Sequence, residues 1–266
     1  MEKQRNNKKI KLKNILETAY SLIIPVLIIV TWELLSKNKV INQSIMPAPS
    51  IILNTLKAMI IDGELGKHLG ASALRVVQGF AIGASLGIIF GILMGLSNKV
   101  NKALSIIVGL LRPIPIIAWV PMLILWMGID EGSKITVIAI GSFWPILLNT
   151  IHGIKSVDEK YLEVAQILEK SKIETLFKVI FPAALPSIFT GIRLGIGTAW
   201  MSVVGAEMIA AATGIGYLIM YARELSQPDV MLVEVFSIGI VGLVVDFLVV
   251  KLQNRLLKWN VVEKNR

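Results

Sequence analysis

Five ionisable residues fall inside or at the edges of long apolar runs of this 266-residue chain: Arg112, Arg193, Glu207, Glu234 and Asp246. A charge held in hydrocarbon is costly, so such residues line a polar route, pair with one another, or snorkel from a span end. The structural uses suit Glu234 and Asp246. For Arg112, beside Pro113 and Pro115, and for Glu207, deep in its run, both uses stay open; with Arg193 they are the candidate pathway residues. Other chemistry is sparsely written. There is no cysteine, hence no thiolate ligand. The two histidines, His68 and His152, fall in loop or span-end positions on opposite sides of the expected topology, which argues against a shared metal site. No Gly-x-x-x-x-Gly-Lys-Ser/Thr run is present to cradle phosphates, and no Gly-x-Ser-x-Gly elbow to present a nucleophile. Neither an enzyme, a metal nor a bound cofactor is expected.

The elements that must position these charges follow from composition. The chain is 55% hydrophobic and 17% charged, with mean hydropathy +0.71. A soluble domain carries nearer a quarter charged residues, so an all-α integral membrane protein is expected. The net charge of +9 sits at the two ends and between alternate apolar runs. That is the positive-inside distribution rather than a nucleic-acid surface. Residues 1–17 are then a cytoplasmic tail, and 18–266 a single transmembrane domain of six spans: 18–35, 72–96, 103–127, 134–152, 187–212 and 230–250, with both termini cytoplasmic. Residues 51–61 are too short to cross and are expected to lie on the outer face. Gly79, Gly83, Gly87, Gly91 and Gly95 recur every fourth residue, and Gly191 and Gly195 repeat the spacing; such stripes let a second helix backbone come close. The third run holds Arg112-Pro113-Ile114-Pro115 and Pro121, so it cannot be one straight helix. Irregular backbone at membrane depth must be buried in protein or line a water-filled cavity.

One polar interval, 158–186, keeps helical periodicity: Leu162, Ala165, Ile167 and Leu168, then Ile173, Leu176, Phe177 and Ile180. Ser171 with Glu174 three residues on predicts a capping box, and Pro182 and Pro186 are expected to end the second helix and launch the next span. The alternation puts this helical pair in the cytoplasm, where its apolar side needs a partner's cover.

Here the residues resemble a known family. Glu163-Val164-Ala165, Glu169 and Val179-x-Phe181-Pro182 resemble the EAA loop (about 153–186) of permease subunits of ATP-binding-cassette importers. Trp32-Glu33, Met46-Pro47-Ala48-Pro49-Ser50, Leu74-Arg75-Val76-x-x-Gly79-Phe80, Arg112-Pro113-Ile114-Pro115, Pro121-x-x-x-x-Trp126-x-Gly128 and Pro182-Ala183-Ala184-Leu185-Pro186 are similar to the nitrate/sulfonate/taurine-type branch. The resemblance spans nearly the whole chain. It implies a type I importer permease in the cell membrane, assembled as a homodimer, with two separate cytoplasmic ATPases that use ATP-Mg and an external solute-binding protein. The solute would be a small anion such as sulfonate, nitrate or taurine, or, in the same architecture, a vitamin precursor such as a pyrimidine. Glu163, Val164, Ala165, Leu168, Glu169 and Pro182 would form the ATPase-coupling joint. Glu169 departs from the family's pattern, which has glycine there; the turn is expected either one or two residues later, at Lys170-Ser171, or with a different geometry. A gradient-driven carrier or channel has no reason to keep such a loop. A membrane scaffold without transport has no need of the proline break.

Overall fold

The computed structural model describes Tyr20 and residues 23–257. The basic N-terminal tail and the last nine residues lie outside the described residues. The described chain forms two compact units. The smaller comprises residues up to Glu64 together with Tyr221–Glu234. It holds helix α1 (23–37) and helix α2 (Pro49–Ile61). Pro49 starts α2 at a position where its missing N–H costs nothing. Ala48 at the N-cap has no side-chain acceptor for the next orphan donor, and Glu33 of α1 supplies one: its Oε2 accepts from the Ser50 N–H at 3.0 Å, while Lys37 pairs with it at 2.7 Å. Thr55 Oγ1 donates to Asp229 at 2.7 Å in the same unit.

The larger unit, Leu65–Met220 with Val235 onward, carries the long apolar helices. The helices from here on are α3 (Glu64–Leu96), a pair α4 (Asn98–Leu111) and α5 (Ile116–Met127), α6 (Glu131–Lys155), the short loop helices α7 (Glu159–Ile167) and α8 (Lys172–Thr175), α9 (Phe181–Ala210), and α10 (Ile215–Glu224) and α11 (Pro228–Leu256), of which Tyr221–Glu224 and Pro228–Glu234 belong to the smaller unit. Among the described residues four helices are long and apolar enough to cross a membrane, and α4–α5 make a fifth apolar stretch bent by 95° at Arg112–Pro115. The prolines account for that break, since Pro113 and Pro115 supply no N–H to continue a helix. The expected count of six rests on adding this pair and α1 to the four.

The glycine stripes set the packing. A Cβ on Gly79 would lie 2.6 Å from Ile138, one on Gly87 3.1 Å from Ile146, one on Gly91 2.5 Å from Thr150 and one on Gly95 2.9 Å from Ile154; one on Gly83 would strike Ser142 and the Ala139 oxygen. Every fourth residue of α3 thus meets every fourth of α6, the spacing that ridge-into-groove contact demands. The numbers rise together, so α3 and α6 run parallel. On the other flank of α6, Gly153 faces Ser187, Gly191 faces Asn149 and Gly195 faces Ile146, so α9 runs antiparallel to α6. Trp200 donates to the Ile238 oxygen at 3.1 Å and Arg193 pairs with Asp246, making α11 antiparallel to α9.

Two parallel neighbours must be joined by chain that returns across the layer. The bent pair does this, running from the end of α3 at Ser97 to the start of α6 at Glu131. The same directions place Ser97–Lys102, the 158–186 interval and the end of α11 on one side. Residues 128–131 and 211–214 lie on the other. Basic residues mark the first side, in agreement with the sequence alternation.

Two of the boundaries that differ from the sequence expectation change a residue's setting. Helix α3 begins eight residues before Ser72, so His68 is a buried helical residue and not a loop one. Pro182 and Pro186 do not end a helix: α8 runs through a π-helical turn, Leu176–Ile180, straight into α9. The Phe181 N–H bonds the Leu176 oxygen, five residues back, which widens the coil just where the Pro182 ring would otherwise press on the preceding turn.

Candidate functional site

Loop 158–186 is built by ordinary capping rules. Asp158 accepts from the Lys160 N–H at 3.0 Å and opens α7. Ser171 Oγ accepts from the Glu174 N–H at 3.2 Å, and the Glu174 carboxylate returns the bond to the Ser171 N–H at 3.4 Å, completing the capping box. Glu174 also pairs with Lys178 at 3.0 Å.

Between the two helices the chain turns at Glu169, with φ +54°. The Lys170 N–H bonds the Ala165 oxygen and the Glu169 N–H the Gln166 oxygen, both at 3.0 Å. This is the hydrogen-bond pair of a Schellman stop, with Glu where glycine is usual. The turn therefore does not slip to Lys170-Ser171: α7 ends at Ile167, capped by Leu168, and Glu169 takes the left-handed conformation because two backbone bonds hold it. Such a conformation costs an L-residue about 1–2 kcal/mol. Glu169→Gly should therefore stabilise the folded protein by about 0.5–1 kcal/mol once glycine's own chain entropy is set against that gain. A thermal unfolding midpoint that stays or falls would mean that Glu169 is held without strain.

Ala165 is buried at 4% exposure and lines a groove with Val164 of α7, its cap Leu168, and Val179 and Pro182 of the following helix. Around it a large apolar surface stays uncovered: Tyr161, Val164, Ile167, Leu168, Ile173 and Phe177 are all exposed. Glu163 is exposed on the same helix. The loop is a short, internally braced element whose exposed surface sets these apolar side chains among charged ones, Glu159, Lys160, Glu163 and Glu169 included.

The candidate charges within the helices go to three different places. Arg193 forms a two-pronged pair with Asp246, Nε to Oδ1 at 2.6 Å and Nη2 to Oδ2 at 2.8 Å, half-exposed on the face shared by α9 and α11. Arg112 stands at the α4–α5 bend, exposed into a cavity with Pro113 and Pro115. Glu207 is enclosed, its side chain at 0% exposure, and its charge is taken up inside the protein.

Its chief partner is Arg75, which the sequence reading named only as part of a motif. All five guanidinium N–H donors are used. Nε and Nη2 reach the two oxygens of Glu131 at 2.5 and 2.8 Å; Nη1 reaches Glu207 Oε1 and the Thr213 carbonyl, each at 2.7 Å; Nη2 also reaches Thr213 Oγ1 at 3.0 Å. Lys134 lies 3.4 Å from Glu131, so two cations meet two carboxylates. Ser72 Oγ donates between the oxygens of Glu207, 2.8 Å from each.

The start of α10 is bound into the same cluster by three successive N–H groups. Gly214 donates to His68 Nδ1 at 3.0 Å, Ile215 to Ser72 Oγ at 3.0 Å and Gly216 to Glu207 Oε2 at 3.1 Å. An Nδ1 that accepts in this way carries no proton, so its 3.2 Å approach to the Gly214 oxygen is a contact and not a second bond. Gly214 has φ +118°, and a Cβ there would strike the Glu207 carboxylate. His68, Ser72 and Arg75 share one face of α3 with the glycine stripe. An arginine in register with close-packing glycines has to have a buried partner, and that was the available signal.

Comparison with known proteins follows the same lines. Residues 84–258 match the family model described as binding-protein-dependent transport system inner membrane component. A putative aliphatic sulfonates transport permease protein, SsuC of Bacillus subtilis, is 42% identical over 90% of this chain and 86% of that protein. The taurine transport system permease protein TauC of Escherichia coli is 34% identical over 88% and 86%, and the nitrate import permease protein NrtB of Synechocystis 37% over 82% and 82%. Among solved structures, an inward-facing MetNI methionine ABC transporter superposes with TM-score 0.60 at 15% identity, covering 71% of this chain and 95% of that one. An amino acid ABC transporter with histidines gives 0.60 at 16%, covering 78% and 97%. The all-helical fold is that of these importer membrane subunits, and the chain belongs to the family of binding-protein-dependent transport system inner membrane components, in the branch that holds the sulfonate, taurine and nitrate permeases.

Proposed function

We propose that this chain is the permease of an ATP-driven importer for small oxyanions of the sulfonate, taurine or nitrate class. Two copies would form the pathway, two separate ATPases would dock on the two copies of loop 158–186 and hydrolyse ATP-Mg, and an external binding protein would deliver the solute. The observation that carries the reading is the loop itself: a braced pair of helices whose outer apolar side chains are left uncovered on the basic side of the membrane. A gradient-driven carrier gains nothing from such a surface. The anion class rests on the names of the relatives.

Glu163 would supply the charged contact to the ATPase. Val164 and Leu168 would supply apolar ones, and Ala165 the close approach between α7 and the next helix. Glu169 would fix the end of α7. Pro182, set after the π turn, would join the loop to α9 so that movement of one is movement of the other. A joint of this kind must be stiff, because a slack loop would absorb the ATPase stroke.

Glu163 is exposed, so Glu163→Lys should leave membrane insertion and thermal stability unchanged while lowering recovery of the ATPase at least about tenfold on co-purification, the loss a reversed charge produces at an interface. ATPase recovered at wild-type yield would remove Glu163 from the joint. The transport reading is tested by ATP-dependent uptake in proteoliposomes of the full complex, offered ethanesulfonate, taurine, nitrate and a neutral pyrimidine. Uptake of the pyrimidine alone would overturn the anion class, and uptake that persists without the ATPase would overturn the importer.

A further inference from the structure

Of the two candidate arginines, Arg193 has its charge matched by Asp246. Arg112 has no such partner: among the described residues its guanidinium makes no hydrogen bond or ion pair. It lines a cavity of about 470 Å³ at the α4–α5 bend, together with Pro113, Pro115, Trp144, Asn149 and Thr198. That is room for a small solute.

One wall of the cavity reaches into the helical layer. Asn149 lies six residues before the end of α6 at Lys155, about 9 Å along the axis at 1.5 Å per residue. No carboxylate is among the residues that line the cavity. Neither of its other hydrogen-bonding side chains, Thr198 or Asn149, is bonded to the arginine. The Thr198 hydroxyl gives its proton to main-chain oxygens, Gly141 at 2.8 Å being nearest. Asn149 spends one amide N–H on the Pro145 oxygen at 2.8 Å and keeps the other. An unmatched cation at such depth is costly unless water or an anion reaches it. The proline break holds the cavity open, because neither Pro113 nor Pro115 can rebuild the helix across it.

We propose that this cavity is an oxyanion subsite on the solute's route, in which Arg112 takes two oxygens of a sulfonate or nitrate group side by side and the free amide N–H of Asn149 takes a third. The proposal rests on the anion reading above and deepens it by naming the group that meets the charge. The Arg193–Asp246 pair, already neutralised, is not needed for it.

The test uses the full permease–ATPase complex in nanodiscs of neutral lipid. Its thermal unfolding midpoint is followed against ethanesulfonate, with ethyl methyl sulfone as an uncharged match and phosphatidylglycerol as a lipid-headgroup match. A saturable rise with ethanesulfonate and none with the sulfone is expected. Arg112→Gln should raise the half-saturating concentration at least about tenfold, and Arg112→Lys should restore part of it. The variant's own midpoint without ligand shows that it folds.

The same response in wild type and Arg112→Gln would overturn the proposal. So would no saturable response in wild type, or one produced only by phosphatidylglycerol, which would make the cavity a lipid site. Uptake separates this inference from the function on which it rests. Sulfonate uptake by wild type with an unchanged KM in Arg112→Gln sinks the subsite alone. ATP-driven uptake of no anion at all sinks the anion reading and the subsite with it.

Discussion

Arg75→Ala should destabilise the protein by about 3–5 kcal/mol, enough to abolish most folded material, because it strands Glu207 as an uncompensated charge in a closed site. Lys134, the other cation of the cluster, pairs with Glu131 and not with Glu207. The guanidinium satisfies Glu131, Glu207 and Thr213 at once, and the remaining donors to Glu207 are one hydroxyl and one backbone N–H. Arg75→Lys should rescue only in part, since an ammonium has three donors and no planar fork. The decisive comparison is Arg75→Ala with Glu207→Ala in the same chain. Removing both partners of a buried pair costs less than removing one, so the double variant should be more stable than Arg75→Ala alone. Midpoints of thermal unfolding in detergent, read beside the monodisperse fraction on size exclusion, would show this. If the double variant loses as much as the sum of the two singles, the two residues are not coupled and the cluster is not the anchor of α3, α6, α9 and α10.

Gly83→Ala should force α3 and α6 apart and destabilise the protein. The added Cβ would meet the Ala139 carbonyl oxygen and the Ser142 hydroxyl of α6. A side chain can turn away and a helix carbonyl cannot, so α3 and α6 would have to separate along their shared stripe. Overpacking in a tight core costs about 1–3 kcal/mol and occasionally more, and a backbone clash belongs at the upper end. Gly109 on α4 is the matched control: nothing lies within 4 Å of its missing Cβ, so Gly109→Ala should be neutral or stabilise its helix by up to about 1 kcal/mol. Assembly and ATP-dependent uptake of both variants would decide. A Gly83→Ala protein as stable as Gly109→Ala would show that the stripe does not set the α3–α6 distance.

The two variants strike opposite halves of one device. At the outer end α3 is held by ions that need exact partners, and along its length by the absence of side chains. Neither half lies in loop 158–186. Damage there should spare folding and remove coupling, whereas damage to α3 should remove both.

The sequence by itself determined what depends on composition and short spacing. Apolar runs marked the membrane helices because hydrocarbon selects for them over about 20 residues at a stretch. Four-residue spacing marked the glycine face, Ser171 with Glu174 marked a helix start, and Arg112-Pro113-Ile114-Pro115 marked a break; each signal lies within a few residues of its effect. The family motifs around Glu163 and Pro182 were legible for the same reason. What only the tertiary structure decided was partnership across distance. Arg75 with Glu131 and Glu207, and Arg193 with Asp246, are separated by 56, 132 and 53 residues. Spacing along the chain cannot tell which charges meet, and it left Glu207 open between a pathway and a pair. The parallel course of α3 and α6 likewise emerged only from which residues face which glycines. At Glu169 and at Pro182 the local rule was overridden: two backbone bonds force a left-handed glutamate, and a π turn lets a helix run through a proline. In both places the surrounding packing supplies more free energy than the local preference withholds.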